Sequence, residues 1–205
     1  MKPFYAIDVS LWSYKGGAIP VEKWEEVKAA GYEMAIVGLW TGAYINESAV
    51  GSLENARAAG LRIAAYYIHH DGNTPEFHLQ KAKEAAGYLF NELEFLAIDI
   101  EVKPVTLETI LRAVELVKEE NLIPVIYTAG WFWNQYMYGV TELSDTPLWT
   151  ADYDGDEDIN KIHKYGGWEY CFGKQYIGDS KDLFSEMQVD ASIFRGSPND
   201  SPTEG

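Results

Sequence analysis

Four carboxylates in this 205-residue chain sit where carboxylates are expensive. Asp8 closes the apolar run Phe4-Tyr5-Ala6-Ile7, and Asp99 and Glu101 close the run Leu96-Ala97-Ile98. Asp190 follows Met187-Gln188-Val189. An acid at the end of an apolar strand must be paired, hydrogen-bonded or protonated, because burying a bare carboxylate costs several kcal/mol. Asp99 and Glu101 are two residues apart, so in an extended strand they point to the same side. Two carboxyls in one pocket compete for protons: one is driven to hold its proton at neutral pH while its neighbour ionises. A proton donor beside a negative charge is what cleavage of a glycosidic bond requires. The D-x-E spacing alone is weak, since acidic chains produce it by chance; its place at a strand end, with Asp8 and Asp190, strengthens it. The same oxygens would also suit Mg²⁺ or Mn²⁺, and His69 and His70 follow the third strand, so a metal-dependent glycan deacetylase is a competing expectation.

The elements that must position these acids alternate apolar runs with amphipathic ones, the pattern of βα units around a parallel sheet. Strands are expected at residues 4–9, 34–39, 61–68, 94–101 and 122–127, with helices at 21–30, 47–59, 75–90 and 107–120. Gly31 and Gly60 mark the ends of the first two helices. After residue 127 the rhythm weakens to a short helix near 131–137 and strand-like runs at 147–150, 174–177 and 187–189. About eight strands with four or five helices fit a TIM-like α/β barrel with a helix-poor C-terminal part, in which strand ends converge on one mouth. Residues 1–195 are expected to form this barrel; residues 196–205, rich in Ser, Pro, Asn and Asp, read as a disordered tail or the start of a linker.

Seven Trp and fourteen Tyr are a large aromatic complement. Trp12, Trp40, Tyr66, Trp131, Trp149 and Tyr153 fall at or just after predicted strand ends, on the rim that carries the acids, and Tyr127 ends the fifth strand. Sugar rings stack their apolar faces on such rings, although packing in the core or wall is an equal expectation for each. His78 and His163 are expected at the surface, and Cys171 is expected to be a small hydrophobe. A single cysteine rules out an internal disulfide and a thiolate metal cluster. The charge of −16 argues against nucleic acid as a partner. No apolar run reaches 18 residues, so membrane insertion is not expected, and no signal peptide opens the chain. The acidic stretch Asp154-Gly155-Asp156-Glu157-Asp158 lacks calcium-loop spacing and reads as a solvated turn.

With these pieces in order, the sequence resembles the glycoside hydrolase family 25 lysozymes, the Chalaropsis-type muramidases. The resemblance rests on Ala6-Ile7-Asp8-Val9-Ser10, Trp24 to Gly31, Leu61 to Tyr67 and Ile98-Asp99-Ile100-Glu101. It continues through Ile126-Tyr127-Thr128, Leu148 to Tyr153, Gln175-Tyr176 and Val189-Asp190, from Phe4 to about Phe194. It implies a (β/α)5(β)3 barrel cutting the β-1,4 bond between N-acetylmuramic acid and N-acetylglucosamine in peptidoglycan, without a cofactor. It makes Glu101 the proton donor, assisted by Asp99 acting on the substrate's 2-acetamido group, with Asp8 and Asp190 as the remaining active-site acids. Tyr66, Tyr127 and Trp149 match aromatic positions lining the groove. Two departures stand out: Gly38-Leu39-Trp40-Thr41-Gly42 replaces a Lys-x-Thr-Glu-Gly run, and Val189-Asp190-Ala191-Ser192 replaces Val-Asp-x-Asn. The resemblance places a monomeric enzyme at the bacterial cell wall, in the manner of a phage endolysin. A non-catalytic glycan-binding barrel is the other alternative to the deacetylase.

Overall fold

The computed structural model describes residues 2–198, so most of the expected tail at 196–205 lies outside the described residues. Eight strands close a barrel in sequence order: β1 (Phe4–Val9), β2 (Met34–Trp40), β3 (Arg62–Ile68), β4 (Leu96–Asp99), β5 (Pro124–Ala129), β6 (Leu148–Ala151), β7 (Gly173–Phe184) and β8 (Met187–Phe194). β1 to β7 run parallel, whereas β8 is antiparallel to both of its neighbours, β7 and β1. Helices α1 (Val21–Ala29), α2 (Ala49–Ala58), α3 (Pro75–Ala86), α4 (Leu107–Glu119) and α5 (Gly130–Tyr136) follow the first five strands. The expected TIM-like barrel with a helix-poor C-terminal part is the observed fold.

Local sequence accounts for the helices. Thr74 caps α3 by accepting from the Phe77 amide at 3.2 Å, and Pro75 enters at the first turn, where no amide donor is missed. α3 then stops at Ala86, short of the expected residue 90, because Gly87 takes φ 56°; a 3₁₀ turn covers Gly87–Glu92. In α4, Ile110, Ala113, Val114 and Val117 recur at helical spacing and form its buried face.

Alternation along the strands builds two apolar layers. Phe4, Ala6, Met34, Ile36, Phe95, Ala97 and Val125 point into the barrel, where Phe172 and Phe194 complete a plug of side chains. Ile7, Val9, Ala35, Val37, Ile98 and Ile126 point outward against the helices. Asp8 and Asp99 continue the inward series at the C-terminal ends of β1 and β4, so they sit on top of the plug.

The helix-poor flank is covered by strand instead. β7 and β8 extend well beyond the expected 174–177 and 187–189, and their hairpin reaches back to α1. There Lys23 Nζ donates to Ser185 at 3.0 Å and lies 3.7 Å from Glu186, while the rings of Phe184 and Tyr32 meet edge to face. The polar run Gly178 to Lys181 reads as a loop in sequence, yet β8 supplies its hydrogen bonds across three register irregularities.

Candidate active site

β4 carries two of the acids, and its end is firmly held. The Ile100 amide donates to the Tyr127 carbonyl at 2.9 Å, Thr128 Oγ1 donates to the Ile100 carbonyl at 2.8 Å, and the His69 amide donates to the Asp99 carbonyl at 3.0 Å. Glu101 therefore leaves the sheet from a fixed point, two residues past Asp99. Asp99 is buried, and its Oδ1 has no hydrogen-bond partner among the described residues. Burial drives its carboxyl well above the usual carboxylate range, and the charges of Glu101 and Asp8 add to the effect. Glu101 is half-buried, and desolvation pushes it up to about 7.

The other two acids meet across the barrel seam. Asp8 on β1 and Asp190 on β8 are register partners, and β8 approaches the mouth with its N-terminal half. Burial raises Asp8 well above its ordinary value and the Asp190 charge raises it further; Asp190, less enclosed, is pushed up to about 6 by desolvation. The Asp179 amide donates to Asp190 Oδ1, and Gln188 Nε2 donates to Asp179 Oδ1 at 2.6 Å. Four acids thus share one end of the barrel, and with these shifts the cluster retains protons at a pH where free carboxylates hold none.

A residue absent from the sequence-level candidates lies at the centre. Gln175 on β7 is buried and reaches Asp8 Oδ2 at 2.8 Å and Asp190 Oδ2 at 3.4 Å through Nε2. Its Oε1 accepts from the hydroxyls of Tyr127 and Tyr153 at 2.7 and 2.8 Å. Glutamine carries no charge to draw attention in a sequence. Its visible signals are its position on a predicted strand and its place in Gln175-Tyr176, one of the pieces that carry the family resemblance.

Aromatic candidates divide into three groups. Tyr66, Tyr127 and Tyr153 stand with the acids: the charges of Asp8 and Asp99 act on Tyr66, and those of Glu101, Asp99 and Asp8 act on Tyr127. Tyr153 also lines a cavity of about 510 Å³ together with Glu101, Trp131, Asp152, His163 and Tyr165. Trp12 belongs elsewhere; it is exposed on the β1–α1 loop and lines a separate cavity of about 730 Å³ with Tyr14, Lys181 and Gln188.

Trp40 and Trp149 correct the expectation that both rings face a glycan. Trp149 is 1% exposed inside the barrel, donates to Ser192 Oγ at 3.1 Å, and packs against Tyr127 with ring centroids 4.5 Å apart. It props the tyrosines and offers no open face. Trp40 is buried in the outer layer, where Nε1 donates to His78 Nδ1 at 2.8 Å. Strand alternation would turn it inward beside Gly38, but the ladder slips between Gly38 and Trp40 and sends it outward.

His78 is likewise buried rather than at the surface, since its Nε2 meets the His70 carbonyl at 2.9 Å and its ring lies 5.1 Å from that of His69. His163 is exposed, as expected, although it pairs with Asp152 at 3.2 Å on the wall of the Glu101 cavity. The histidines of the deacetylase alternative pack with one another: His69 lies against His78 with neither ring nitrogen hydrogen-bonded among the described residues, and His70 accepts from the Gly72 amide. Among the described residues, no three His, Cys, Asp or Glu side chains converge as a metal-holding group. Cys171 is buried, with desolvation raising its thiol to about 12, as befits a small hydrophobe.

Comparison with known proteins identifies the family. The family model for glycosyl hydrolases family 25 matches residues 7–179. The probable GH family 25 lysozyme 2 of Dictyostelium discoideum is 29% identical over 178 residues, covering 81% of this chain and 84% of the relative. The solved lysozyme of Streptomyces coelicolor superimposes with a TM-score of 0.74 at 20% identity, covering 96% of this chain and 94% of that one. The muramidase from Acremonium alcalophilum gives 0.72 at 18%, covering 95% and 94%. The two structures share the fold; the matched family model establishes the relationship. The chain belongs to glycosyl hydrolases family 25 and is a glycoside hydrolase.

Proposed function

We propose that Glu101 is the general acid of this enzyme and that Asp99 assists by orienting the substrate's 2-acetamido group. The reaction is hydrolysis of the β-1,4 bond between N-acetylmuramic acid and N-acetylglucosamine in peptidoglycan, carried out at the bacterial cell wall. The observation that carries the assignment is the half-buried Glu101 carboxyl, raised to about 7, on the wall of an open cavity. A carboxyl that keeps its proton near neutrality can give it to the leaving glycosidic oxygen as the bond breaks.

Asp99 supports this role from two residues away. It is more deeply buried than Glu101, and its Oδ1 is an acceptor without a protein donor, suited to an acetamido N–H. Asp8 and Asp190 keep the far side of the cluster electronegative, against which positive charge develops at the sugar during cleavage. Tyr66, Tyr127 and Tyr153 supply the polar edges and apolar surface that a sugar needs. All four acids come from one barrel, so a monomer suffices.

The test is digestion of purified peptidoglycan in excess EDTA by wild type and E101Q, with the released ends reduced and identified by mass spectrometry. New reducing N-acetylmuramic acid ends from wild type, and a large loss in folded E101Q, are the expected result. Acetate release that requires added metal would move the assignment to a deacetylase; binding without product would leave a glycan-recognition barrel.

A further inference from the structure

Gln175 has four hydrogen-bonding positions in its side-chain amide, two N–H donors and two carbonyl lone pairs, and all four are occupied. Chemistry fixes which way the amide faces. An ionised carboxylate only accepts, so the side turned to Asp8 and Asp190 is the NH₂ group as long as that pair retains negative charge. The carbonyl then faces Tyr127 and Tyr153, and each phenol must give its one proton to it. The two phenol oxygens lie 3.4 Å apart with neither proton left over to join them.

We propose that Gln175 is a positioning residue that sets the hydrogen-bond polarity of the active site, so that Tyr127 and Tyr153 meet the substrate only as acceptors while Asp8 and Asp190 act as one proton-sharing pair. The substrate group received by the tyrosines is therefore a donor, a sugar hydroxyl or an amide N–H, and not a carbonyl oxygen. This deepens the proposed reaction and rests on it for the identity of the substrate, but the hydrogen-bond polarity itself is a property of the free protein.

The charged and titratable groups around the amide come from every strand that faces it. Asp8 on β1, Asp190 on β8, Tyr127 on β5 and Tyr153 after β6 touch it directly. Asp179 holds Asp190, and Tyr66, Asp99 and Glu101 act on the contacting groups through space. Loss of the amide removes the donor, 2.8 Å from Asp8, that favours the ionised form of that carboxyl, so the Asp8 titration must move upward.

Two variants separate the two faces of the amide. Gln175→Glu keeps two lone pairs for the phenols but sets an oxygen against Asp8 and Asp190; Gln175→Leu removes both faces. Carboxyl-carbon NMR would follow Asp8 and Asp190 through pH in wild type and both variants, and kcat and KM would be measured on soluble peptidoglycan fragments. We expect the Asp8 midpoint to rise in Q175L, and Q175E to bind one additional proton, with activity lost at pH 8 and recovered toward pH 5. Y127F should cost about tenfold in wild type, the worth of one hydrogen bond that leaves a buried acceptor unmatched, and less than about twofold on top of Q175L. An unmoved Asp8 titration in folded Q175L, or losses in Y127F and Q175L that multiply, would overturn the proposal. If Q175L does not fold, the isosteric Q175E decides by the same titration. A wild type that releases no sugar ends would defeat the proposed reaction and leave the NMR result standing.

Discussion

Asp8 and Asp190 face each other as register partners across the seam where β1 meets β8, and a single amide, that of Gln175, bonds to both. The first and last strands of the barrel thus bring two carboxyls to one amide, while β4 supplies Asp99 and Glu101. The cluster holds protons because burial and mutual repulsion act together.

Activity should fall as pH rises through the Glu101 transition near 7, because only the protonated acid can serve the leaving oxygen. In E101Q the rate should drop by roughly 10²–10⁴. A pH–rate profile of kcat/KM on soluble fragments would check both; a profile flat from pH 6 to 9 would remove Glu101 from the role.

Stability should carry two opposed pH dependences. Glu101 and Asp190 have folded-state values of about 7 and about 6, raised from 4.5 and 3.8, so the native state binds more protons than the unfolded chain between pH 4 and 7. Their stabilising contribution is complete below pH 4 and is lost as pH rises to 7. His69 runs the other way: burial lowers it from 6.5 to about 4, so its contribution is present above 6.5 and is lost as pH falls to 4. Thermal melts of E101Q at pH 8 should exceed wild type by about 2–4 °C, the shift expected for about 1 kcal/mol in a chain of this size, with no gain at pH 4. Equal melting temperatures at pH 8 would show that the Glu101 carboxyl is not strained.

Tyr66 owes its place to a missing side chain. A Cβ at Gly38 would stand 2.6 Å from Tyr66 Cζ, so Gly38→Ala must displace the ring from its place beside the acids. The expected cost is about 1–3 kcal/mol of stability, typical of overpacking, together with a raised KM. The same change in a Y66A background should cost far less, as read by denaturant unfolding; an equal cost in both backgrounds would mean that the backbone, and not the ring, resists it.

Lys174 is fully buried on β7, and Asp154 meets its ammonium at 2.9 Å from a partly exposed position. Asp154→Ala would strand that cation. Breaking a fully buried pair costs about 3–5 kcal/mol, and the 37% exposure of Asp154 reduces the expected loss to about 2–3 kcal/mol. Lys174→Met/Asp154→Ala should recover most of it. A single variant within about 0.5 kcal/mol of wild type, the range of ordinary surface changes, would contradict the pairing.

Asp8, Asp99, Glu101 and Asp190 were legible because a charge at the end of an apolar run breaks a pattern. The barrel was legible for the same reason in reverse: β1 to β5 and their helices repeat without interruption. Gln175 was not, since a neutral amide in a strand breaks nothing. Trp40 and Trp149 misled because position along a strand says nothing of depth or face. A one-residue slip at Gly38 reverses the face of Trp40, and Trp149 lies under tyrosines contributed by β3 and β5. The β7–β8 hairpin runs longer than local periodicity predicts because its hydrogen bonds go to a partner whose register shifts three times.

The pairing of β1 with β8 also makes closure of the barrel depend on its last strand. β1, the barrel's first strand in sequence, has an open edge until β8 pairs with it, and Asp190 lies on that last strand. A nascent chain that has already made Asp8, Asp99 and Glu101 still lacks the fourth acid and the closed wall that would bury the other three. A barrel cut short before β8 is therefore expected to lack both its closed wall and its complete acid cluster.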